Sequence, residues 1–170
     1  MNDQNKIILI GFMGSGKTTL AKKLAKKLNR SFYDLDQEIE AKEHLIIPQI
    51  FEEKGEEYFR KIESEVLKII LAKEAPFVLS VGGGSPCFYD NMELINKSGV
   101  SIYLKYNAGI LASRLINAKV KRPLIKELNE IELKEFITNK LTERERLYKE
   151  SNFTLEGNNL KVEDLLSLLQ

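Results

Sequence analysis

The chain has 170 residues, with 26 basic and 25 acidic side chains and a formal net charge of +1. That balance excludes the global positive field expected of a nucleic-acid binder. One cysteine, Cys87, excludes an intramolecular disulfide, and one histidine, His44, excludes a metal centre of the Cys/His type. Met1 to Lys6 is polar, and the apolar run that follows covers only Ile7 to Ile10. This is too short for a signal-peptide core or a membrane span, so a cytoplasmic, monomeric protein without membrane or nucleic-acid partners is expected.

Ile7 to Ile10 reads as a strand buried on both faces, ended by Gly11. After a glycine-rich turn, Leu20, Leu24 and Leu28 recur at helical spacing, and Asn29 ends the helix. Ser31 to Tyr33 is a second strand, stopped by Asp34-Leu35-Asp36. Gln37 to Lys73 is helix-rich, with breaks expected near Pro48 and Gly55. Phe77 to Val81 is a third strand, closed by Gly82-Gly83-Gly84. A helix over Asp90 to Lys97, a strand over Val100 to Leu104 and a helix over Ala108 to Ile116 follow. Ala118 to Glu127 is charged and aperiodic and reads as a loop. A long helix over Glu132 to Glu150, a short strand over Asn152 to Leu155 and a helix over Val162 to Leu169 complete the chain. Strands alternating with helices predict an α/β fold with parallel strands and right-handed crossovers, in a single domain over 1–170.

Gly11-Phe12-Met13-Gly14-Ser15-Gly16-Lys17-Thr18 fits the phosphate-loop pattern G-x-x-x-x-G-K-[ST] at every fixed position. Glycines let such a loop turn its N–H groups inward, forming an anion-binding nest at a helix N-terminus. Gly14, Ser15, Gly16, Lys17, Thr18 and Thr19 are therefore the candidate nucleotide-binding residues, with Lys17 reaching the β- and γ-phosphates and Thr18 offering a hydroxyl to Mg²⁺.

A guanine-reading N-K-x-D is absent: Gly99 follows Asn96-Lys97, and Thr142 follows Asn139-Lys140, where the Asp should stand. The third strand ends in glycine rather than the metal-holding acid of many P-loop ATPases. The acids after a strand are Asp34 and Asp36, which in an extended segment point to the same side. One would hold Mg²⁺ through water, and the other would orient or deprotonate an attacking hydroxyl. The plainer reading is a solvated Asx turn or a helix N-cap, with Asp36 well placed to cap the next helix. The arrangement suits a small-molecule kinase, with gluconate and nucleotides among the acceptors still open.

The chain resembles the shikimate kinase family along nearly its whole length. The resemblance rests on Gly11 to Thr18, Asp34-Leu35-Asp36, the F-x-x-x-G-E-x-x-F-R-x-x-E run from Phe51 to Glu63, the triple glycine, Arg122-Pro123-Leu124, and Arg144 to Tyr148. It implies a nucleoside-monophosphate-kinase-like fold with a five-stranded parallel sheet flanked by helices. It implies a substrate-binding insertion at about 35–63 and a lid at about 116–128. The implied reaction transfers the γ-phosphoryl group of ATP, with Mg²⁺, to the 3-hydroxyl of shikimate, a step towards chorismate and the aromatic amino acids. By position, the resemblance implies that Arg60 and Arg144 grip the substrate carboxylate, that Asp36 contacts the reacting hydroxyl, and that Asp34 holds Mg²⁺ beside Thr18. Gly83 and Gly84 would approach the substrate through their backbone, and Arg122 would swing onto the transferring phosphoryl group. Phe51 and Phe59 would wall the ring, and Arg114 would stack on adenine. The alternative for Arg60 is an ion pair with Glu56 or Glu63 on its own helix. Arg146 stands where the family often has proline.

Overall fold

The computed structural model describes residues 5–118, 125 and 128–170. Five strands form one sheet: β1 (Lys6–Ile10), β2 (Ser31–Asp34), β3 (Phe77–Ser80), β4 (Val100–Lys105) and β5 (Phe153–Glu156). Their spatial order is β2-β3-β1-β4-β5 and every pairing is parallel. Between them run α1 (Lys17–Leu28), α2 (Leu35–Glu43), α3 (Ile47–Leu71), α4 (Asn91–Ser98), α5 (Ala108–Ile116) and α6 (Glu130–Tyr148), and α7 (Val162–Leu168) closes the chain.

Strand β1 occupies the centre because it is apolar on both sides. Ile7 and Leu9 pack with Leu20 and Leu24 of α1, with α5 and with α7 on one face. Ile8 and Ile10 pack with Leu35 and Ile39 of α2 and with α3 on the other. Each such burial stabilises the fold by about 1.5–3 kcal/mol. In an open parallel sheet, ligands bind outside the C-terminal ends of the strands, where the strand order reverses. Here β1 runs out between β3 and β4, so the loop after it lies at that point.

Several boundaries depart from the sequence reading for local reasons. The break expected near Pro48 falls at 44–46, between α2 and α3, and Pro48 itself sits in the first turn of α3, where its missing N–H has no intrahelical partner to lose. Gly55 does interrupt α3, with φ 80° and ψ 170°, a left-handed backbone that favours glycine. On either side of this kink, Lys54 Nζ and the Tyr58 hydroxyl both donate to Glu43 Oε2, at 2.7 and 2.9 Å, tying α3 to the end of α2. A short 3₁₀ turn at Ser85–Cys87, unread in the sequence, follows the triple glycine. The lid expected at about 116–128, with Arg122, falls largely outside the described residues. Of its described positions, Ile116 ends α5 and Ile125 packs into the core on the α1 side.

Candidate active site

The loop from Gly11 to Gly16 joins β1 to α1. Gly16 adopts φ 83° as the residue before the helix, and Gly14 adopts φ 80° with Leu115 side-chain atoms against it. Ser15 is buried, while Thr19 lies exposed in the first turn of α1. Lys17 is 8% exposed, and its ammonium donates to the carbonyls of Gly11 and Phe12 at 2.8 and 2.9 Å. These bonds fold the lysine back along its own loop.

Thr18 donates its hydroxyl to Asp34 Oδ2 at 2.7 Å. Asp34 is the last residue of β2 and the N-cap of α2: its Oδ1 accepts from the amides of Asp36 and Gln37 at 3.1 and 3.3 Å. This corrects two expectations. The capping acid is Asp34, not Asp36. The two carboxylates also do not share one extended segment, because Asp36 already lies in the first turn of α2. Ser80, paired in register with Asp34 at the end of β3, places its hydroxyl 3.3 Å from that of Thr18. Ser80 carries no signal in the sequence, where an acid at that strand end is the recognisable mark of a metal-holding position.

The triple glycine is a matter of space rather than of turn freedom. A Cβ on Gly82 would lie 2.9 Å from Ser85 Oγ, 3.1 Å from Asp36 Oδ1 and 3.2 Å from Glu63 Oε1. One on Gly84 would lie 2.7 Å from Arg60 Nη1, and one on Gly83 would lie 3.7 Å from Arg144 Nη1. Thus Asp36 from α2, Arg60 from α3 and Arg144 from α6 converge on this one turn after β3.

Arg60 keeps both ion pairs foreseen for its helix. Nη1 donates to Glu63 Oε2 at 3.0 Å, and Nε and Nη2 donate to Glu56 Oε1 at 3.3 Å. Yet it is not a surface pair: the Arg60 side chain is 12% exposed and packs over the rings of Phe88 and Phe59 at 4.1 and 5.1 Å. Phe59 is buried in the core and stacks on Phe51 at 4.5 Å between ring centroids. Arg144 lies over the ring of Phe12, in the phosphate loop, at 5.7 Å. One turn further along α6, the buried Tyr148 donates its hydroxyl to the Gly83 carbonyl. Burial pushes the Tyr148 phenol well above its ordinary pKa, with Arg144 acting the other way. Arg146 points to solvent.

Cys87 is half-buried beside this cluster, and burial raises its thiol pKa against the opposing pull of Arg144 and Arg60. Arg114 stacks on Tyr106 at 4.2 Å, and its guanidinium donates to the carbonyls of Gly14 and Asn158 at 3.5 and 3.3 Å. It therefore edges the phosphate loop. Among the described residues no cluster of three or more His, Cys, Asp or Glu side chains could hold a metal ion.

A family profile described as shikimate kinase matches residues 13–169. The chain belongs to the shikimate kinase family. It is 44% identical to a shikimate kinase of Azobacteroides pseudotrichonymphae, over 96% of both chains. Its fold is similar to the crystal structure of shikimate kinase from Bacteroides thetaiotaomicron, with a TM-score of 0.92 and 38% identity over 96% of this chain and 97% of that one. It is also similar to shikimate kinase from Acinetobacter baumannii, solved in complex with shikimate, with a TM-score of 0.85 and 34% identity over 96% and 89%. Shikimate kinases are ATP-dependent enzymes that phosphorylate shikimate, and this chain is an enzyme of that kind. The P-loop kinase fold read from the sequence, with its five parallel strands, is the fold of the family.

Proposed function

We propose that Arg60 and Arg144 hold the carboxylate of shikimate, and that Asp36 orients its 3-hydroxyl towards the γ-phosphoryl group of ATP seated on the loop 11–18. The observation that carries this reading is the convergence of Arg60, Arg144 and Asp36 on Gly82 to Gly84. Guanidinium groups present a planar fork that matches a carboxylate. The glycines leave room for a ring to approach, and the contact of Arg144 with Phe12 sets the acceptor side against the nucleotide loop.

In the reaction, the 3-hydroxyl oxygen bonds to the γ-phosphorus while the bond to the bridging β-oxygen breaks. ADP leaves with that electron pair. Asp36 accepts the hydroxyl's hydrogen bond and is positioned to take its proton. Lys17 and the loop amides stabilise the charge on the transferring group, with little covalent chemistry left to the protein. Thr18, Asp34 and Ser80 offer only oxygen donors, which suits Mg²⁺, a hard cation that relies on one or two carboxylates plus substrate phosphates. When bound there, Mg²⁺ neutralises charge on the β- and γ-phosphates. Because Asp34 Oδ1 already caps α2, Oδ2 is the oxygen that faces this task.

By resemblance, Arg122 acts from a lid at about 116–128, and 35–63 forms the acceptor-binding insertion within one kinase domain. The reading is of a cytoplasmic monomer; no described helix is long and apolar enough to cross a membrane.

The choice between Arg144 and Arg146 supplies the test. Arg144→Ala should raise the KM for shikimate on the order of a hundredfold in an ADP-release assay, as expected when one partner of a desolvated charge pair is lost. Arg146→Ala should leave it nearly unchanged. Equal losses in both variants, or none in either, would overturn the assignment.

A further inference from the structure

Glu63 is a carboxylate at 1% exposure, so both its oxygens need donors. Oε2 takes one from Arg60. Oε1 takes the other from the Ser85 hydroxyl at 2.5 Å. Ser85 has no exposed surface and directly follows the triple glycine. It is itself anchored. Its carbonyl accepts from Asn91 Nδ2 at 2.8 Å, and Asn91 Oδ1 accepts from the Ser64 hydroxyl at 2.7 Å. Ser64 adjoins Glu63 on α3, so the bonds close a ring: Glu63 to Ser85, Ser85 to Asn91, Asn91 to Ser64, and back along the helix. Among the described residues no buried side-chain polar atom lacks a hydrogen-bond partner.

This ring joins the glycine turn to α3 at two adjacent residues, and two-point attachment removes the rotation that a single bond would leave. We propose that Ser85 is a positioning residue that fixes the Glu63 carboxylate, and through it the Arg60 guanidinium, for recognition of the acceptor's carboxylate. The proposal rests on the reading of Arg60 given above. Ser85 touches neither nucleotide nor acceptor in this scheme. It aligns the planar fork of Arg60 with the glycine backbone that lies against it. A fully satisfied buried network of this kind holds one geometry where an apolar contact would tolerate several.

The test compares dissociation constants for shikimate and for its neutral carboxamide analogue in the wild type, Arg60→Ala and Ser85→Ala. The wild type should prefer the carboxylate. Arg60→Ala should narrow that preference by about a hundredfold. Ser85→Ala should narrow it by about tenfold, with ATP affinity within about twofold of wild type. If Arg60→Ala narrows the preference and Ser85→Ala weakens both acceptors equally, Ser85 serves only the fold and the proposal fails. If Arg60→Ala leaves the preference intact, the underlying reading of Arg60 fails first. Ser85→Cys keeps the volume while weakening the donor. It gives the same readout should the alanine variant not fold.

Discussion

Lys17→Ala is expected to lower kcat by about 10²–10³-fold or more, the loss seen when a preorganised donor to a developing oxyanion is removed. The side chain is almost wholly enclosed and held against two carbonyls of its own loop, so its charge is fixed in place before the nucleotide arrives. Alanine also deprives the Gly11 and Phe12 carbonyls of a donor, so the comparison should include Lys17→Met, which keeps the apolar stem, and a melting temperature for each. A folded variant that retains kcat within about tenfold would mean that phosphate charge is stabilised elsewhere.

Asp36→Asn is expected to reduce shikimate turnover by about 10²–10⁴-fold, the usual contribution of a positioned general base, while nucleotide affinity stays the same. The structural reason for the split is the division of labour between the two acids. Asp34 receives the Thr18 hydroxyl and the α2 amides, whereas Asp36 Oδ1 faces Gly82, beside Glu63. Asparagine still offers an oxygen to orient the hydroxyl, but it cannot take the proton. Titration with an ATP analogue alongside steady-state rates separates the alternatives. A matching loss of nucleotide affinity would assign Asp36 to the metal instead.

Local signals carried much of this into the sequence. Four successive apolar residues sufficed for β1, and α5 begins and ends at the residues expected, because Asn107 caps it and its apolar face is regular. The phosphate loop was legible since its chemistry is contiguous. Arg60 was legible in part: its spacing to Glu56 and Glu63 revealed the pairs, but not that Phe88, 28 positions on, would cover the guanidinium. The misjudged acids have a simple cause. Period-two geometry does not extend from Asp34 to Asp36, because the chain has become helical by Leu35. Ser80, Ser85, Asn91 and Ser64 escaped because a serine or asparagine has no distinctive pattern. Apart from the Asn91–Ser85 bond, which spans six residues, their partners are 22 to 62 residues away, joined only by the crossover topology.

The two arginines differ in one respect that bears on how the acceptor arrives. Arg60 is matched by two carboxylates, whereas among the described residues Arg144 forms no salt bridge and rests on an aromatic face and a phenol. Of the two arginines, Arg144 therefore exerts the greater outward electrostatic pull on an approaching anion. Such long-range steering fades once the Debye length shrinks to about 3 Å near 1 M salt, while contacts already made at short range survive better. Added salt should then slow capture of shikimate more than it speeds release, a difference that stopped-flow binding traces would separate.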